Sequence, residues 1–234
     1  MRRGLVRAVT GVVGAGILVV GGTACGSSTS EKAAGGGDEQ PAQAAATGTP
    51  SPAAGAGAAA GAGVKAAGSV GGDGTPCRLP VSFDLVQDWK PKAVTHAEDD
   101  EFAALFKQGG MTLACEIDAK PAGNFGFLRV WVADKPAGPG DARKVLESFM
   151  AGEKTKGTPA YAEVRAGTGG AALPAVEAAY ETAPLDEAKK ESAFAVVTPD
   201  GAAVVVHLGG LDSAEHEAMR PAYRLAQQSL KPGS

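Results

Sequence analysis

Chemistry in this chain could come from three histidines, one run of acids and one aromatic strand. His96, His207 and His216 are the side chains able to act as near-neutral bases. His207 alternates with Val205 and Ala203 in "AAVVVHLG", which is the place of a half-buried sheet histidine. His216 sits in "SAEHEA", whose acids suit the start of a helix better than a metal site. "EDDE" at 98–101 carries four carboxylates but lacks the Asp-x-Asp-x-Asp-Gly spacing that wraps calcium, so it reads as a solvated first turn. The chain has no Gly-x-Ser-x-Gly elbow, no His-Glu-x-x-His, no Cys-x-x-Cys and no phosphate loop. The expectation is a protein without catalytic residues, metal or cofactor.

The aromatic strand is "NFGFLRVWVAD". Its period-two alternation puts Leu128, Val130 and Val132 on one face and Phe125, Phe127, Arg129 and Trp131 on the other. If helices cover the aliphatic face, Phe127, Arg129 and Trp131 form a candidate binding face of the kind that stacks sugars or anchors a partner. If the aromatic face is covered as well, Trp131 is core.

The N-terminus says where such a face would be held. Arg2, Arg3 and Arg7 precede the uncharged run "AVTGVVGAGILVVGG", which is shorter than the roughly 20 residues that span a bilayer. "GTAC" closes it and resembles the lipobox of bacterial lipoproteins, with Gly22 in place of the usual leucine. The resemblance implies a signal peptide over 1–24 and a diacylglyceryl group on Cys25, which becomes the new N-terminus. Gly22-Thr23-Ala24 also satisfies the small-x-small rule of ordinary secretion. A lipid on Cys25 leaves Cys77 and Cys115 as a pair in an oxidising compartment, where a disulfide is expected. The protein is then expected at the cell membrane, lipid-anchored, with its domain on the extracytoplasmic side.

Of residues 26–75, 28 are Gly or Ala, none is aromatic, and Val64 and Val70 are the large aliphatics. Such a stretch buries too little surface to offset its ordering entropy, so 25–75 reads as a disordered tether. As a flexible coil it has an end-to-end distance of about 40 Å. Residues 76–234 then make a single domain with 17 basic and 22 acidic residues. That net charge of −5 argues against nucleic acid or an anionic membrane as a direct ligand.

Within the domain, strand signals fall on 80–86, 111–118, 125–134, 161–167, 175–182, 192–198 and 202–209. Helix signals fall on 98–110, 140–152 and 212–230, where Pro221 should kink or restart the last helix. The fold class expected is α+β: an antiparallel sheet of six to seven strands with two to three helices, mainly on one face.

"VSFDLVQDW", a central meander, and "AVVVHLGG" running into "YRLAQQSLKP" resemble the Mog1/PsbP-like lipoproteins of actinobacteria. The likeness spans most of 80–232, although the Pro-x-Gly-Trp turn is replaced by Val86-Gln87-Asp88-Trp89. It implies a binding or assembly module with no enzyme activity. The reading is therefore a lipid-anchored, non-catalytic envelope module whose partners are the membrane, through Cys25, and an envelope protein or cell-wall glycan. The alternative is an envelope hydrolase whose carboxylates are not recognisable by spacing. It would need two of them about 5–10 Å apart across a groove.

Overall fold

The structure, a computed structural model, describes residues 64–95, 102–184 and 186–233. Cys25, the signal run, His96 and the acids at 98–101 lie outside the described residues.

The strands are β1 (Ala66–Val70), β2 (Val81–Val86), β3 (Lys90–Ala93), β4 (Lys107–Gln108), β5 (Met111–Asp118) and β6 (Gly126–Ala133). Helix α1 (Ala142–Met150) follows, then β7 (Ala160–Ala166), β8 (Leu173–Thr182), β9 (Lys189–Val197) and β10 (Ala203–Gly210). Helix α2 (Ser213–Ser229) and β11 (Lys231–Pro232) close the chain. An eight-stranded sheet runs β3-β5-β6-β10-β9-β8-β7, with β4 pairing on β5; a three-stranded sheet runs β1-β2-β11. Every strand pairing is antiparallel. Among the described residues no helix is long and apolar enough to cross a membrane.

The helices lie on opposite faces of the large sheet, which corrects the expectation of one covered face. Leu128 and Val130 join Phe194, Val206, Met219 and Tyr223 in a core under α2 and the small sheet. Trp131, Leu113, Ala195 and Val205 join Leu146 and Phe149 in a second core under α1. Two short helices and a three-stranded sheet supply the apolar cover that one helical layer could not. Strand β5 serves both cores. Its register slips between Leu113 and Cys115, so Met111 and Leu113 face α1 while Cys115 and Ile117 face the other way. That bulge delivers Cys115 to Cys77, with which it is bonded at a Cα–Cα distance of 5.8 Å.

Three sequence readings are corrected. Ala66–Val70 is not tether: it pairs with β2, and Val70 is fully buried. "AAGSV" has no strand propensity of its own, so β2 imposes the conformation through its hydrogen bonds. Residues 103–106 form a 3-10 turn rather than a helix, and the chain turns at once into β4. After β4 the chain turns at Gly109 (φ +57°), where a Cβ would lie 2.3 Å from the Ser148 carbonyl oxygen. Helix α2 does not restart at Pro221 but runs through it. Pro221 is exposed, so water can satisfy the carbonyl that loses its partner.

Candidate functional site

Helix α1 is nine residues long and covers only part of its face of the sheet. The other half of that face is open, and a groove of about 530 Å³ lies over it. Its floor comes from β6, β10 and β9, whose register sets Phe127 opposite Gly209, Arg129 opposite His207 and Trp131 opposite Val205. Because alternate residues share a face, the three candidates do line one groove. They differ in burial. Phe127 and Arg129 are half-buried, whereas Trp131 is 6% exposed and packs edge-on against Phe149 at 5.6 Å between centroids. Trp131 is therefore core at the groove's inner end, the second of the two readings its strand allowed, and is not an open platform. Phe125 precedes β6 and is exposed at the mouth beside Leu211, whose N–H donates to the Phe125 carbonyl at 3.0 Å.

Two cations lie against the Phe127 ring. The Arg129 guanidinium carbon lies 4.9 Å from its centroid and the Lys120 ammonium 5.1 Å. The Arg129 Nε also donates to Glu116, its cross-strand neighbour, at 2.9 Å. Lys120 is placed by a 3-10 turn whose first N–H donates to the Asp118 carboxylate at 2.9 Å. Gly209 leaves bare backbone beside the ring: a Cβ there would meet only the His207 ring, at 3.5 Å.

A buried polar set closes the floor. His207 Nε2 lies 2.9 Å from Glu191 and 3.0 Å from the Tyr180 hydroxyl. Thr182 donates to Glu191 at 3.0 Å, and the Lys189 ammonium sits 2.6 Å from the same carboxylate. Burial pushes the Glu191 carboxyl up, but the hydrogen bonds and charges of His207 and Lys189 outweigh it and hold the group at about 2. Burial pushes the Tyr180 hydroxyl far above the usual tyrosine range, so it stays neutral. His207, Glu191 and Tyr180 are each under 10% exposed and bond one another, with Thr182 and Lys189 also on Glu191.

Sequence reasoning placed His207 in its strand but missed Glu191 and Tyr180. "KKES" and "AAYET" show ordinary alternation, and only the β8–β9–β10 register joins them. His216 is buried in α2 against the Ser192 hydroxyl at 3.0 Å, and burial lowers its basicity. Among the described residues no three His, Cys, Asp or Glu side chains are grouped to hold a metal.

No curated protein matches the chain. Among solved structures, LpqN of Mycobacterium tuberculosis, described as involved in cell envelope biogenesis, is similar at 19% identity and a TM-score of 0.37. That match covers 68% of this chain and 88% of that one, and it is too remote to inform the groove. A family model described as "uncharacterised lipoprotein" matches residues 44–230, which takes in every described element but the last strand. The match spans most of the sequence, and the protein belongs to that lipoprotein family.

Proposed function

We propose that this protein is a lipid-anchored binding module of the cell envelope, attached through Cys25, whose groove over β6 and β10 takes a glycan. The observation that carries the reading is the half-open face of β6. Phe127 offers a ring for stacking, while Arg129, Gln108 and Glu153 offer directional donors and acceptors around it. A groove of about 530 Å³ falls within the ~300–1,000 Å³ range of small-ligand sites, which favours a few sugar units over a protein surface. The exposed Phe125 and Leu211 extend the apolar strip to the mouth.

One observation favours the hydrolase alternative: Glu153 and Glu191 line the same groove. Against it, Glu191 is buried and committed to four side chains, and Glu153 accepts from Gln108 at 2.7 Å. Glu191 is thereby withheld from a glycosidic bond, and hydrolysis needs two carboxylates.

The test is calorimetric titration of the purified full-length lipoprotein with soluble cell-wall glycan fragments. Binding that falls about tenfold or more in Phe127→Ala, with the fold intact, supports the reading. Release of reducing sugar, abolished by Glu191→Gln, would replace it with the hydrolase.

A further inference from the structure

The groove's charge runs against that of the domain around it. Lys120, Arg129 and Lys189 line it against Glu153 and Glu191, an excess of one cation in a domain of net charge −5. Lys189 is spent on Glu191 and on the Gly210 carbonyl, to which it donates at 3.0 Å. Lys120 is not spent: among the described residues its ammonium forms no ion pair and touches only the Phe127 ring. Arg129 gives only its Nε to Glu116, so its two terminal amino groups have no hydrogen-bond partner among the described residues. Both cations lie against one ring, at 5.1 and 4.9 Å from its centroid, and are therefore no more than 10 Å apart.

We infer that the groove selects an acidic sugar, one bearing a carboxylate or a phosphate, with the sugar ring on Phe127 and the anion drawn to Lys120 and the open side of Arg129. This rests on the glycan reading of the groove and adds the charge of the ligand to it. A neutral sugar would leave those donors to water, whereas an anion takes charge-assisted hydrogen bonds from both. The aromatic face adds to the preference by ordering the cations before the ligand arrives. Three of the carboxylates near such a ligand are already tied down. Glu191 is paired with Lys189, Glu116 accepts from the Arg129 Nε, and Asp118 accepts from the Lys120 backbone N–H; Glu153, which accepts from Gln108, is the groove carboxylate with no cation on it among the described residues.

The experiment titrates the full-length lipoprotein with glucose, glucuronic acid, glucose 6-phosphate and inorganic phosphate, following amide shifts of β6 and β10 by NMR. Lys120→Ala and Lys120→Glu are run beside the wild type, since an exposed lysine can be changed without disturbing the core. The expected result is that both acidic sugars bind about tenfold tighter than glucose, weaken with salt, and lose that advantage in Lys120→Glu. Equal binding of glucose and the acidic sugars would overturn the charge preference and leave the glycan reading standing. Phosphate alone matching glucose 6-phosphate would also overturn it, by showing an anion site that ignores the sugar. No shifts with any of the four would overturn the glycan reading itself.

Discussion

Replacing Trp131 by alanine separates a core residue from a ligand platform. A buried tryptophan removes about 150–250 Å² from water, worth about 4–6 kcal/mol at 25 cal/mol per Å². Compactness of the unfolded chain lowers that figure. Truncation series put Trp→Ala in cores at about 3–5 kcal/mol. Among the described residues the indole Nε1 has no hydrogen-bond partner, so no polar bond is lost, and the edge-on contact with Phe149 adds about 0.5–1.5 kcal/mol. One side of the vacated space adjoins the groove, so water can enter it, which places the expectation at about 3–4 kcal/mol. Urea unfolding followed by circular dichroism reads the change directly. A loss under about 1 kcal/mol, with ligand binding abolished, would refute the assignment of Trp131 to the core and restore it to the binding face.

Other consequences are as direct. Removing the Cys77–Cys115 bond by double alanine substitution opens a loop of 38 residues, for which chain entropy gives about 4 kcal/mol; an unchanged urea midpoint would show that the bond holds nothing. Glu191 is held at about 2 in the fold against 4.5 in its absence. Its contribution is therefore present above about pH 4.5 and drains away as pH falls toward 2, by up to about 3 kcal/mol. In Glu191→Gln that part of the acid lability should disappear from a pH series of unfolding curves. Cys25→Ser should leave the protein unlipidated and released from membranes, because two acyl chains suffice for stable anchoring. Membrane fractions that retain the variant as firmly as wild type would contradict attachment at Cys25.

The long strands could be read from sequence because their alternation is local. "MTLACEID" matches β5 residue for residue, and the two faces of β6 follow from its pattern. What could not be read depends on partners distant in the chain. The bulge in β5 leaves the alternation of buried and half-buried residues undisturbed, so nothing in the sequence reports that the strand changes faces. Strand β1 hides in a Gly/Ala-rich stretch because its hydrogen bonds belong to β2. The candidate site divided in the same way. Phe127 and Arg129 were legible as a pair on one face, but how far along that face α1 reaches decided that Trp131 is covered and they are not. Glu191 and Tyr180 join His207 through strand order alone. The acid-rich run before Gly109 likewise favoured a helix by composition, but the described part is a 3-10 turn that passes into β4, which pairs with β5.

The central claim, that the open half of this face is a ligand groove, is tested most directly by filling it. Gly209 lies opposite Phe127 with room above it, and nothing but the His207 ring stands near a Cβ placed there. Calorimetry of wild type and Gly209→Leu with the same cell-wall glycan fragments, beside unfolding curves of both, makes the comparison. The account predicts that Gly209→Leu folds with wild-type stability and binds at least about tenfold more weakly. A folded Gly209→Leu that binds the glycan as tightly as wild type would contradict it.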